Sequence, residues 1–192
     1  MIRLLRPLLW GSALALLACA RNSGGTADPP LPRTDLTPED RAAWYQLLAW
    51  PEECERSFVP TNEADGGLTF YPLAEGRSLV EVVCLVAAYQ RSHLYLMYDE
   101  RTTPPQARLL RFPTYVLQPG QSWAPHQSAE LTGIPEFDAA GDELTVLTRF
   151  RGVGDCGSVA RYGFEGGQPV LLDFRGKVEC DGRAEGWERI GP

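Results

Sequence analysis

From residue 68 onward the apolar positions fall in short runs separated by glycine or proline turns, the punctuation of an antiparallel all-β domain. These runs predict strands at 68–73, 79–88, 94–98, 108–112, 144–151, 159–164 and 170–175. Seven strands suffice for a sandwich or a curled sheet. The run Val80-Glu81-Val82-Val83-Cys84-Leu85-Val86 is apolar on both faces except at Glu81, which predicts a central strand covered on each side. Alternation sets Cys84 on the face of Val80, Val82 and Val86. Near the C-terminus Glu165-Gly166-Gly167-Gln168 predicts a hairpin turn, since paired glycines accept the positive φ that such turns need. Pairing Glu165 with Gln168 brings residue 177 opposite Cys156.

One segment has helical periodicity. Thr37-Pro38-Glu39-Asp40 supplies a capping hydroxyl, a proline at the first helical position and acids in the positive first turn. It predicts a helix over 38–49, closed off by Pro51. Trp44, Leu47 and Leu48 fall on one side of it. A helix of this length is marginal alone, so this stripe is expected to pack on the face of the central strand that Cys84 shares. The stretch 117–129, with Gln118-Pro119-Gly120 and Ser122-Trp123-Ala124-Pro125-His126, reads as a turn-rich loop long enough to be functional. Trp123 and His126 are its candidate binding residues, with Trp123 folded under the loop as the structural alternative.

The N-terminus changes the picture from a fold to an address. Arg3 and Arg6 precede an apolar run from Leu8 to Ala18, too short to span a bilayer and arranged as an export signal. Leu16-Leu17-Ala18-Cys19 resembles the lipobox of bacterial lipoproteins, which implies cleavage before Cys19 and its lipidation. The expected organisation is a signal peptide at 1–18, a lipid-anchored tether at 19–35 and one domain at 36–192. The tether composition, Asn22-Ser23-Gly24-Gly25 and then Pro29-Pro30-Leu31-Pro32, cannot bury enough to fold. These features place the protein in the bacterial cell envelope, anchored to a membrane with its domain facing the periplasm or exterior.

Charge and cysteines narrow the function classes. The full chain carries a formal charge of −7, and loss of Arg3 and Arg6 with the signal makes it −9, which excludes nucleic acid as a natural partner. Membrane attachment therefore rests on lipid rather than on a basic patch. Past Cys19 an even set remains, Cys54, Cys84, Cys156 and Cys180, and in an oxidising compartment disulfides follow. Three pairings are possible. Cys54 with Cys84 and Cys156 with Cys180 is preferred, because the second pair brackets the C-terminal hairpin and leaves the first as remainder. The absence of a C-x-x-C pair argues against zinc, and no metal or other cofactor is expected.

Candidate chemistry is sparse. Gly152-x-Gly154-x-x-Gly157 matches the dinucleotide fingerprint formally, but a strand rather than a helix follows it and a cysteine sits inside it, so it reads as a turn. Arg149 and Arg151, joined by Arg161, Asp173 and Arg175 from neighbouring strands, could bind an anion or form cross-strand ion pairs on a solvated face, and the second reading is preferred. His93 and His126 are the chain's two imidazoles. No G-x-S-x-G or H-E-x-x-H motif accompanies them.

Arg151-Gly152-Val153-Gly154-Asp155-Cys156-Gly157 with Glu179-Cys180-Asp181-Gly182, the stretch from Val80 to Gln90, and Leu110-Arg111-Phe112-Pro113 resemble a family of exported bacterial proteins known as a domain of unknown function. The resemblance supports one disulfide-bonded domain and carries no catalytic residue. The expected protein is a lipid-anchored, mainly β envelope module that acts by binding an envelope protein or glycan. A hydrolase or small-ligand binder using the loop around His126 is the alternative, and catalysis is the less favoured of the two.

Overall fold

The computed structural model describes Arg33 and residues 36–192 apart from residue 75. The export segment, Cys19 and nearly all of the tether lie outside the described residues. Helix α1 (Pro38–Leu48) starts on a reciprocal capping box. Thr37 Oγ1 accepts from the Asp40 amide at 3.2 Å, and the Asp40 carboxylate accepts from the Thr37 amide at 2.9 Å, which satisfies two donors that helix geometry leaves open. Ala49 then turns left-handed at φ 52° and ends the helix.

The buried face of α1 differs from the expected stripe. Leu48 is buried and Trp44 packs on the core, but Leu47 is 51 % exposed. Arg41, Trp44, Tyr45 and Leu48 form the inward face, at the spacing one side of a helix provides. Arg41 sets this rotation. Its guanidinium pairs with Glu55 at 2.8 Å, donates to the Gly66 carbonyl at 3.1 Å and lies 3.9 Å from the centre of the Phe58 ring. A second short helix, α2 (Glu52–Ser57), follows and presents Cys54.

Eleven strands follow: β1 (Leu68–Leu73), β2 (Arg77–Val86), β3 (Arg91–Asp99), β4 (Gln106–Leu109), β5 (Phe112–Leu117), β6 (Trp123–Ser128), β7 (Glu130–Asp138), β8 (Glu143–Arg149), β9 (Gly157–Glu165), β10 (Gln168–Lys177) and β11 (Glu188–Gly191). Nine form one antiparallel sheet in the order β1-β2-β3-β7-β8-β9-β10-β11, with β4 also on β3; β5 and β6 form a separate ribbon. The fold is thus mainly β, an open curled sheet with two short helices.

Three predicted boundaries move. The expected strand at 108–112 splits at Leu110 and Arg111 into β4 and β5, because Leu110 and Phe112 both dive into the core as the chain leaves the sheet. The expected loop at 117–129 is mostly ribbon: Pro125 pairs with Tyr115 and Trp123 with Leu117. Pro125 is tolerated there because a two-stranded ribbon leaves its outer edge without a ladder to serve. Strand β7, unforeseen, carries Gly133 and Pro135, which read as breakers. Its first residues pair with β3 and its last with β8, so this strand joins the two halves of the sheet.

The sheet has a core on each face. One is dry and lies under the helices, built from Leu48, Trp50, Cys54, Phe70, Val80, Val82, Cys84, Leu94, Leu96 and Tyr98. The other fills the concave side beneath the β5–β6 ribbon, with Leu79, Tyr95, Phe112, Leu144, Tyr162 and Phe174. Cys54 bonds Cys84 with a Cα separation of 4.4 Å, and Cys156 bonds Cys180 at 4.9 Å. The C-terminal hairpin pairs Gln168 with Glu165, but a bulge between Leu171 and Asp173 sets Lys177 opposite Gly157 rather than opposite Cys156. That slip of one residue supplies part of the offset the disulfide needs. Gly157, at φ 148°, passes so close to Thr148 that an added Cβ would overlap its carbonyl oxygen.

Candidate functional site

The least expected group in the concave core is a charge. Strand β2 carries Glu81 inward beside Leu79 and Val83, and its side chain is 7 % exposed. Burying a lone carboxylate costs several kcal/mol unless hydrogen bonds replace its water. Three partners surround it. The hydroxyls of Tyr71 on β1 and Tyr95 on β3 donate to Glu81 Oε2 at 3.1 and 3.2 Å. His93, two residues along β3 from Tyr95, brings Nδ1 to 3.2 Å from Oε1. The pairings Glu81 with Tyr95 and Val83 with His93 put all of them on one face of neighbouring strands.

The electrostatics follow from that burial. Tyr95 is pushed well above the ordinary tyrosine value of 10.0 by burial and then by the adjacent Glu81 charge, and Tyr71 is raised for the same reasons. Both phenols therefore remain donors across the physiological range. His93 is 2 % exposed, and neither ring nitrogen has a correctly directed hydrogen-bond partner among the described residues. Its Nδ1 is close to Glu81 but badly aligned. A buried polar atom left so costs about 1–3 kcal/mol.

The acid and the imidazole border a cavity of about 420 Å³ whose other walls are Val86, Ala87, Ala88, Tyr89, Gln90 and Arg91 of the β2–β3 turn and Gly133, Ile134 and Pro135 of β7. A bulge shapes it. Register shifts between Val83 and Leu85, leaving Cys84 as the extra residue. The expected alternation put Val86 on the Cys84 face. The extra residue reverses it beyond position 84, so Val86 lines the cavity with His93 while Cys84 reaches back to Cys54. The turn is held by a bond from the Arg149 amide to Gln90 Oε1 at 2.9 Å. Arg91, also at the cavity wall, lies 3.9 Å from Asp65.

The residues singled out in the sequence lie elsewhere. Trp123 is half-buried, stacks on Phe150 at 6.1 Å and meets Phe174 edge-on at 5.3 Å. Its ring fills the space above Gly176, where an added Cβ would come within 2.4 Å of it, so it packs as core. His126 is exposed and borders a shallow cavity of about 690 Å³ with Tyr115, Pro169 and Leu171. Trp123 and His126 also share a cavity of about 310 Å³ with Tyr115, Phe150 and Phe174, as expected of a common binding loop, and neither meets His93 or Glu81 there.

On the arginine face Arg151, Arg161 and Arg175 are paired with carboxylates, while Arg149 Nε is buried without a hydrogen-bond partner among the described residues. Arg161 pairs with Glu143 at 3.1 Å, and Arg175 and Arg189 both hold Asp173 at 2.9 Å. Arg151 grips Asp155 through a two-point contact that holds this carboxyl far below the usual range, and it also donates to the Cys180 carbonyl at 2.9 Å. The glycine-rich motif is therefore a turn tied to the 180–182 loop by the disulfide and by hydrogen bonds from Arg151 to the Cys180 carbonyl and from the Gly182 amide to Asp155, with a strand after it. Buried Lys177 serves the same loop, donating to Asp181 and to the Arg183 carbonyl at 2.7 Å each. No cluster of three or more His, Cys, Asp or Glu side chains is placed for a metal ion, and no helix is long and apolar enough to cross a membrane, among the described residues.

Sequence reasoning noticed Glu81 as the exception in an apolar strand but drew no site from it. The usable signal was the pattern Glu81 with His93 and Tyr95 on consecutive strands, joined by a short turn at 87–90. Each falls on the inward parity once the bulge is known.

The molecule thus defines a class: a disulfide-braced β domain whose curled sheet buries an acid and an imidazole at one end. The chain belongs to the family described as a protein of unknown function, DUF1176, whose model matches residues 20–190. No curated protein and no solved structure matches it.

Proposed function

We propose that this protein is an envelope lipoprotein, anchored through Cys19, that works by binding a small molecule in the cavity bordered by Glu81 and His93. The observation that carries this reading is the buried carboxylate beside an unsatisfied imidazole, at the edge of an open space with small or apolar walls. Convergent polar groups in an otherwise apolar cavity are the usual composition of a ligand site. Binding is preferred over hydrolysis because the cavity lining holds no Ser, Thr or Cys nucleophile and Glu81 is its one carboxylate, whereas glycoside hydrolysis needs two. The reading moves the expected ligand site from His126 to His93. An anchored domain meets partners held on the same membrane at high local concentration, so modest affinity suffices for them.

The test is a fragment screen by saturation-transfer NMR on the purified protein, with Ala88→Trp filling the cavity. Fragments that lose their signal in Ala88→Trp and keep it in His126→Ala support the cavity. The opposite pattern moves the site to His126. For the anchor, Cys19→Ala should shift the protein from the membrane fraction to the soluble one and abolish diacylglycerol labelling; a variant that stays labelled overturns it.

A further inference from the structure

The charges around the cavity specify what it would hold. Glu81 is held by Tyr71, Tyr95 and His93 but keeps 7 % of its side chain exposed at the cavity wall, and the two phenols are neutral donors that add no positive charge. The one guanidinium on the wall, Arg91, faces Asp65 at 3.9 Å, so those two charges offset each other. The carboxylate is left as the net charge of the site. Beside it, His93 presents an imidazole with neither nitrogen satisfied. Above both stand apolar walls, Val86, Ala87, Ala88, Ile134 and Pro135, and at the mouth the ring of Tyr89, 45 % exposed.

Resting on the binding reading above, we infer that the cavity selects a small organic ammonium: a primary amine on a compact apolar body. Such a ligand brings the positive charge that the buried carboxylate lacks. Both ring nitrogens of His93 are buried, so the charge of Glu81 at the cavity wall sets the selection, and an ammonium is a donor without acceptor character. The apolar body would lie against Ile134 and Pro135, and an exposed tyrosine face near a cation adds attraction of its own. A carboxylate ligand is disfavoured by Glu81. An alcohol matches the hydrogen bonding but not the charge.

The inference is tested by calorimetric titration of the full-length protein in detergent at pH 7.5 with benzylamine, benzyl alcohol and benzoate, which share one body. Benzylamine should bind about five- to tenfold more tightly than benzyl alcohol, the margin of a charge-assisted over a neutral hydrogen bond, and benzoate least. In Glu81→Gln, which keeps an acceptor for both tyrosines, the amine's advantage over the alcohol should vanish, with near-UV circular dichroism confirming an intact core. In Ala88→Trp all binding should go. Equal affinity for amine and alcohol, lost together in Ala88→Trp, keeps the cavity as a binding site and overturns its charge selection. Preference for benzoate overturns it too. No binding by any of the three, in a protein whose dichroism is native, means a cavity filled by water alone and overturns both readings.

Discussion

The two faces of the β2–β3 pair are made by the same strands and obey opposite rules. On the helix side Val80, Val82, Leu94 and Leu96 meet Trp50, Phe70 and Leu48, and the buried guanidinium of Arg41 at the edge of that cluster is paired with Glu55. On the concave side the alternate residues include Glu81, His93 and Tyr95. Burial is equally deep on both, so exposure does not separate them. What separates them is the partner: the dry face is covered by helices held through the Cys54–Cys84 bond, while the polar face opens at one end on a cavity. A dry face stabilises through area and close packing. A polar one roughly balances desolvation against hydrogen bonds and so is better suited to a function than to stability.

The comparison predicts where mutations hurt. Phe70→Ala, which strips a ring packed 4.6 Å from Trp44, should cost about 3–5 kcal/mol in denaturant unfolding. A smaller loss would mean the helices sit loosely on the dry face. Next comes the brace itself: the double change Cys54→Ala and Cys84→Ala should cost about 2–4 kcal/mol in denaturant unfolding, and the reduced parent should lose more, because reduction also opens Cys156–Cys180.

The polar face should reveal itself by alkali. Tyr162 on the concave side is raised by burial to about 12. Unfolded tyrosine ionises near 10, so the stabilising contribution is fully present below about pH 10 and lost as pH climbs to 12. Two pKa units amount to about 2–3 kcal/mol. Stability against pH, with tyrosinate absorbance tracking ionisation, checks this; a flat profile would show that the concave core admits water. Glu81→Leu, which leaves the Tyr71 and Tyr95 hydroxyls without their acceptor, should cost about 1–3 kcal/mol, whereas Glu81→Gln should change stability far less. Equal losses in the two variants would place the charge, rather than the hydrogen bonds, at the centre of the site. Smallest is His126→Ala, an exposed side chain, expected within about 0.5 kcal/mol of the parent.

Legibility in the sequence followed the same division. The capped helix, β1 and the dry strand pattern were readable because local chemistry and alternation agree there: Thr37 with Asp40, Val80 with Val82. Failures occurred where a tertiary demand overrode the local signal. Arg41 turned α1 so that Leu47 faces water, since only the fold brings Glu55, Gly66 and Phe58 to its guanidinium. Gly133 and Pro135 hid β7 because breakers are read without knowing what they pair with. The site was missed for a related reason: Glu81 was visible as an anomaly, but its meaning depended on His93 and Tyr95 arriving opposite it, and Val86 was misplaced by an extra residue that composition does not mark.

That extra residue ties together two properties that look independent. Because the strand counts in twos, Cys84 both reaches the helix and inverts everything beyond it, so the covalent brace and the cavity wall are specified by one position's parity. Deleting Leu85 alone would leave the strand's hydrophobicity nearly untouched, yet it would swing Val86 away from His93 and dissolve the wall. In this fold, chain length at that hairpin shapes the cavity as much as any side chain does.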